Sequence, residues 1–336
     1  MMVSIKDIAK AVGVSPAAVS LVLNGKAKQS RISDELSAKI EAAALQMGYR
    51  PNRVAIGLRT GKSKTLGLII ENIANNFFST LAKTVEDEAR KFGYNVVYCS
   101  TENDPVRGSE MIQMLYNQQV DGYVITPASG MKDDIELLLR KKKPVVLIDR
   151  YFDDVDVPFV VIDNYNGMRE GVEFLIASGY KNIGLVTVDM DLVQIQERNR
   201  GYREALTANG LPVVKANVLT VNYNATKNHA VTAITAFIKQ RKSMDAVVFA
   251  TNYLGIDGLQ SIKDLGLTIP TDLAVLCFDD HDIFKLHTPA ITVIEQPIQR
   301  MAETALLLLA SLLGHTKEAV ETKVFLPTRL VKRESV

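Results

Sequence analysis

The chain has 336 residues, 47% hydrophobic and 23% charged, which excludes a disordered polymer and allows two or three compact units with their own cores. No apolar run approaches the roughly 18 residues that a membrane span needs. The 39 basic and 38 acidic side chains nearly cancel, yet residues 1–64 carry eleven basic against four acidic, a net +7, and the rest carries −6. A small cationic head on an acidic body suits contact with a polyanion at one end only.

The opening Met1-Met2-Val3-Ser4-Ile5-Lys6-Asp7 lacks the basic start, apolar middle and cleavage site of a secretory signal, so the cytoplasm is the expected compartment. Ile5, Ile8, Ala9 and Val12 recur at helical spacing, and Gly13-Val14 breaks the pattern. Ser15 is placed to cap a second helix with Pro16 at its first position, running to Leu23 and ending at Asn24-Gly25. Two short helices around a glycine turn, with Ala9, Gly13 and Val19 packing the pair, predict a helix-turn-helix unit. A third helix over residues 33–48, striped by Leu36, Ile40, Ala43, Ala44 and Met47, closes a three-helix core. In the loop between them Lys26, Lys28 and Arg31 are placed to meet phosphates. Residues 49–61 offer Asn52 as a cap and Gly61 as a stop for a helix of barely two turns, too short to stand alone in water.

From residue 65 strands alternate with helices, and a second such set begins near Asn164. That order predicts an α/β body of two lobes built on parallel sheets. Cys99 and Cys277 lie in or beside apolar strand-like runs and read as buried free thiols. The apolar run 302–313, interrupted by Glu303 and Thr304, reads as a buried helix.

Ligands of open α/β sheets bind beyond the carboxyl ends of the strands. Asp279 follows the strand 274–278, Asn252 follows 247–250, and Arg198 stands three residues before Gly201. A carboxylate, an amide and a guanidinium in one cleft satisfy vicinal hydroxyls, which need paired donors and acceptors. Phe77, Phe78 and Tyr223 offer faces for a ring, and Thr126, Asn166, Gln194 and Gln296 are secondary candidates. The alternatives are a purely structural Asp279–Arg198 ion pair and Phe77 or Phe78 as plain core. Histidines 229, 281, 287 and 315 show no metal-ligand spacing, and neither a Gly-x-Ser-x-Gly elbow nor a phosphate-binding loop occurs. Neither catalysis nor a metal or cofactor is expected, although Asp279-Asp280 beside His281 hints at acid–base work. A transport binding protein would have no use for a cationic head.

The stretches Ile5-Lys6-Asp7-Ile8-Ala9, Gly13-Val14-Ser15-Pro16-Ala17-Ala18-Val19-Ser20, Asn24-Gly25 and Gly48-Tyr49-Arg50-Pro51-Asn52 with Ala55 and Leu58 resemble the LacI/GalR family of bacterial regulators along essentially the whole chain. The resemblance implies a helix-turn-helix head over 1–49, a hinge helix and linker over 50–64, and a periplasmic-binding-protein-like core over 65–336. It places lobe crossings near 162–163, 289–292 and 321–325, giving a first lobe of about 65–162 and 292–322 and a second of about 163–290 and 323–333. Pro16, Ala17 and Leu21 match base-contacting positions, and Ser15 and Asn24 match backbone-contacting ones. Ser20, Asn52 and Arg53 complete the DNA-facing set. Ala55 matches the point where paired hinge helices touch, and Leu58 the leucine wedged into the minor groove. Leu21 departs from the usual arginine, and leucine touches only apolar base edges. Arg198, Asn252 and Asp279 match effector-binding positions, while Tyr253 replaces a usual aspartate and Cys277 a usual glycine. The implied protein is a homodimeric, sequence-specific transcription regulator on pseudo-palindromic double-stranded operator DNA, in the repressor sense, controlled by a small-molecule effector of the sugar class.

Overall fold

The computed structural model describes residues 3–50, 61–316 and 321–336, and the chain divides into two units, Met1–Ser63 and Lys64–Val336.

In the first unit, α1 (Ile5–Val12) starts at a capping box. The Asp7 amide donates to Ser4 Oγ at 3.4 Å while the Ser4 amide donates to Asp7 Oδ2 at 2.8 Å. These Ser4 hydrogen bonds hold the Asp7 carboxyl below its ordinary range. Gly13 ends the helix at φ 76°, a left-handed turn that a side chain would strain. Ser15 caps α2 (Pro16–Leu23) and Ser33 caps α3 (Asp34–Gln46), each hydroxyl accepting from the amide three residues on. Ile8, Ala9, Val19, Val22, Ile40 and Ala44 form the buried centre, as the helical spacing predicts. Leu36 packs against that centre.

The second unit holds two six-stranded sheets. In the first, β1 (Thr65–Ile70), β2 (Asn95–Ser100), β3 (Gly122–Ile125), β4 (Val145–Ile148) and β5 (Phe159–Ile162) alternate with α4 (Asn76–Lys91), α5 (Pro105–Asn117) and α6 (Lys132–Arg140). The chain then passes into α7 (Asn164–Ala177), β6 (Ile183–Val188), α8 (Val193–Ala208), β7 (Val218–Val221), α9 (Lys227–Gln240), β8 (Ala246–Phe249), α10 (Asn252–Asp264), β9 (Ala274–Phe278), α11 (Asp282–Leu286) and β10 (Thr292–Glu295). It returns through α12 (Ile298–Leu312) and ends in β11 (Lys323–Leu326) and β12 (Arg329–Val331). The sheet orders are β11-β5-β4-β3-β1-β2 and β12-β10-β9-β8-β6-β7, parallel throughout except where β12 pairs antiparallel with β10.

The crossing at 162–163 lies where the sequence places it, but the other two lie elsewhere. The strand at 292–295 belongs to the second lobe, pairing Thr292 with Leu276 and Ile294 with Phe278. The chain crosses back only at Gln296-Pro297, where proline, lacking an N–H, ends the ladder. The terminal segment, expected from about residue 323 in the second lobe, supplies a strand to each sheet: Lys323–Leu326 joins β5 in the first, and Arg329–Val331 joins the second. Pro327 divides them. The Arg329 guanidinium fastens the last strand to Glu295 Oε2 at 2.5 and 2.8 Å.

One apolar core runs through both lobes, taking in Phe78, Val124 and Met301 with Tyr202, Leu276 and Ile294, while one other fills the outer layer of each lobe. Cys99 and Cys277 are buried free thiols, and burial raises the pKa of both. No helix among the described residues is long and apolar enough to cross a membrane.

Candidate functional site

Strand ends of the two lobes face one another across a cleft, and the pattern repeats between lobes. Asp149 follows β4 and Asp279 follows β9, each in the left-handed conformation (φ 73° and 71°). Each amide donates to the neighbouring strand, to Val160 O at 3.0 Å and Ile294 O at 2.9 Å. Aspartate tolerates that backbone better than most residues, and the turn swings both carboxylates into the cleft.

On the second lobe, Arg198 lies on α8. Its Nε donates to Asn164 Oδ1 and its Nη1 to Ala250 O, both at 2.8 Å. The guanidinium carbon sits 3.7 Å from the centroid of the Phe278 ring. Burial lowers the Arg198 pKa, with Asp279 and Asp149 opposing. Asp279 Oδ2 is 3.8 Å from Arg198 Nη1, an ion pair too long for a hydrogen bond, and Oδ1 accepts from Gln296 Nε2 at 2.5 Å. Burial raises the Asp279 carboxyl, and Arg198 and Gln296 only partly offset it.

On the first lobe Arg150 donates to Glu71 Oε2 at 2.5 Å, Asp149 Oδ2 at 3.1 Å and Asn103 Oδ1 at 2.7 Å. Burial works against the Arg150 charge, but Glu71 and Asp149 outweigh it and raise its pKa. Burial raises the Asp149 carboxyl against the pull of Arg150. Polar contacts among the described residues also join the lobes. Tyr223 Oη donates to Glu71 Oε1 and Asn252 Nδ2 to Asn75 Oδ1, each at 3.1 Å. The Gln194 amide, with its oxygen toward Arg150, accepts from Nε at 3.0 Å and Nη2 at 3.3 Å.

The chamber these groups enclose is about 50 Å³. Arg198, Asn252, Asp279, Gln194, Gln296, Phe77 and Phe78 all line it. The two phenylalanines are buried core residues as well, their rings edge to face at 4.9 Å. Tyr223 lines an adjoining cavity. Two candidates lie apart. Asn166 is exposed, its amide and side chain bonded to Asp163 at the start of α7, and Thr126, directly after β3, is buried and does not line the chamber. Glu71, Asp149 and Arg150 are the groups that sequence reasoning missed, though Glu71 and Asp149 directly follow strands, with Arg150 next to Asp149, and the strand-end rule points to them. Tyr253 also lines the chamber, with burial raising its hydroxyl to about 12.

In the head, Ser15, Pro16, Ala17, Asn24, Lys26, Lys28 and Arg31 are exposed, and Ser20 and Leu21 are half-buried. Asn24 Nδ2 bonds back to Ser20 O at 2.6 Å and Ser20 Oγ at 3.2 Å, closing the end of α2. The 25–32 loop folds into a tight turn, with the Ile32 amide on Ala27 O at 3.0 Å and Arg31 left-handed at φ 53°. Asn52, Arg53, Ala55 and Leu58 lie outside the described residues.

Residues 4–52 match the model of bacterial regulatory proteins, lacI family, and residues 172–336 match that of the periplasmic binding protein-like domain. The chain is 30% identical to the HTH-type transcriptional regulator RegA of Clostridium saccharobutylicum, spanning 100% of this chain and 99% of the relative. It is 29% identical, over the same shares, to catabolite control protein A of Priestia megaterium. A solved complex of the transcriptional regulator CelR with cellobiose matches with a TM-score of 0.72 and 26% identity, covering 99% of this chain and 100% of that one.

Proposed function

The chain belongs to the LacI family of bacterial regulatory proteins, and on that premise we propose that it reads a pseudo-palindromic operator as a homodimer whose affinity is set by a sugar held between the core lobes. The observation that carries the sugar reading is the inner chamber. Gln296 Oε1 is buried there with no hydrogen-bond partner, beside an Arg198–Asp279 pair that is close without being bonded. Buried polar groups left unmet are costly, so such a group calls for a donor that the protein does not supply. A pair of neighbouring hydroxyls fits: one donates to Gln296 Oε1 or Asp279, and its neighbour accepts from Arg198, which commits two of its five N–H groups elsewhere. CelR, whose solved complex holds cellobiose, shares this fold.

Binding rather than turnover is the reading of the Asp279-Asp280-His281 run as well. The Asp280 carboxylate is taken by Arg333, at 2.9 Å from Nη1 and 2.7 Å from Nη2, and His281 Nδ1 accepts the Ile283 amide at 3.0 Å. No acid–base pair faces the chamber from that run. On the head, Ser15, Pro16 and Ala17 lie at the start of α2 and Leu21 one turn further on, and Lys26, Lys28 and Arg31 supply cations for phosphates.

The test is selection from random genomic fragments by the full-length protein, repeated with and without each member of a sugar panel. The expected result is a recovered site with twofold symmetry whose retention changes with one sugar. Recovery of no site above background in any condition overturns the proposal.

A further inference from the structure

Beyond the inner chamber, and sharing Glu71, Asn75, Asn252 and Tyr253 with it as a common wall, lies a cavity of about 480 Å³ open toward solvent. From its size and lining we infer that it is a second saccharide subsite, and that the effector is a neutral oligosaccharide of at least two units; this rests on the reading of the inner chamber as a sugar site.

Capacity comes first. One six-membered ring needs a cavity of roughly 150 Å³. The inner chamber, at about 50 Å³, receives a hydroxymethyl group or the hydroxylated edge of a ring, not its whole body. The ring itself extends past the wall, and the outer cavity then has room for a further unit. A single sugar would leave the far lining, Asn72, Glu102 and Asn224, without a ligand to meet.

Chemistry selects the class. Among the described residues the outer cavity is lined by amides, two carboxylates, two tyrosines and His281, with no lysine or arginine. A phosphorylated or acidic sugar would face Glu71 and Glu102 with no cation in the lining, whereas neutral hydroxyls meet both donors and acceptors. Because His281 Nδ1 accepts the Ile283 amide, its ring hydrogen stands on Nε2, ready to donate. Glu102 takes the Asn72 amide at 2.7 Å through Oε2, which leaves Oε1 for a hydroxyl. Tyr223 and Tyr253 supply the aromatic surface on which sugar C–H faces pack. Asn72 and Glu102 come from the first lobe and Tyr223 and Asn224 from the second, so a unit seated here bridges the lobes as the inner one does.

The experiment is calorimetric titration of the full-length protein with cellobiose, maltose, lactose, gentiobiose and melibiose, their component monosaccharides, glucose 6-phosphate, and adenosine and uridine. The expected result is one disaccharide bound at least about tenfold more tightly than either component, the gain of one or two net hydrogen bonds. Asn224→Ala and Asn72→Ala, made separately, should each bring that ratio down to about twofold or less, while monosaccharide titration of the same variants reports that the cleft is folded. A monosaccharide as tight as every disaccharide containing it, a ratio unmoved by both variants, or tightest binding by the phosphate or a nucleoside overturns the subsite. Failure of every sugar to bind removes the sugar reading itself, a different result from tight monosaccharide binding without gain from a second unit.

Discussion

Arg150 shows how much a single buried side chain holds in place. It is 3% exposed and binds Glu71 and Asp149, which have no other cation bonded to them among the described contacts. Breaking a buried ion pair by removing one partner leaves uncompensated charge, so Arg150→Met should destabilise the protein by about 3–5 kcal/mol. Urea denaturation reads this directly, and a loss under about 1 kcal/mol would mean that water reaches these carboxylates. Asp279 gives a second prediction, of sign. Its folded pKa is raised from 3.8 by burial, so the folded state holds the proton more tightly than the unfolded chain. Its contribution to stability therefore falls as pH rises through 3.8 and is fully lost above the raised folded value. Asp279→Asn removes that titration while keeping a residue at home in a left-handed turn. The melting temperature of the variant minus that of the parent should climb as pH rises from about 4, and a flat or falling difference contradicts the burial argument. Asn252 and Asp279 were candidates because strand ends mark ligand sites, whereas Arg198, inside a helix, was singled out by its place three residues before Gly201. Arg150 and Glu71, 79 residues apart, form no local pattern, and only the fold reveals that they meet. Asn166 misleads for a local reason: a helix start uses its amide for capping.

At the scale of elements, Arg198 reaches its place because of a glycine one turn later. A Cβ on Gly201 would stand 2.4 Å from Tyr165 O and 3.1 Å from Arg169 N, so only glycine lets α8 lie this close to α7. The same closeness lets Arg198 reach Asn164 at the start of α7. Gly201→Ala must push the helices apart, an overpacking that typically costs about 1–3 kcal/mol. It should also weaken sugar binding, because the guanidinium moves with its helix. Thermal melts with and without sugar separate the two effects; loss of stability with full sugar affinity would mean that Arg198 is positioned by Ala250 and Phe278 alone. Elements whose signals are local were plain in the sequence: the serine caps, Gly13 and the apolar spacing gave the three head helices to within a residue or two. The lobe crossings were harder. Apolar residues 324–326 and 330–331 stand close together in the chain, and that the two groups join different sheets on either side of Pro327 depends on partners far away in the chain.

For the whole molecule, the question is how a ligand between two lobes changes affinity for DNA. Three segments join the lobes, at 162–163, 296–297 and 327–328, and Gln296 is both part of one crossing and a hydrogen-bond partner of Asp279. A sugar that engages Gln296 and Asp279 on one side and Glu71 or Asn75 on the other binds one lobe arrangement better than another, and only such differential affinity shifts an equilibrium. Coupling energies of this kind run to about 1–3 kcal/mol, so saturating sugar should change operator Kd by about 5- to 150-fold. Thermodynamic linkage then fixes a stricter expectation. Operator must change the sugar Kd by the same factor and in the same sense, measured by fluorescence anisotropy in one direction and calorimetry in the other. A fragment spanning residues 64–336, one of the two units of the chain, should keep the sugar affinity of the DNA-free protein, and added operator should leave it unchanged. Unequal factors in the full chain, or a fragment that still responds to operator, would place the DNA contact or the coupling outside the head. Salt supplies the remaining check. Operator affinity should fall steeply as salt rises, because the head's lysines and arginines release counterions from phosphates, while the sugar, carrying no charge, should bind with little change over the same range.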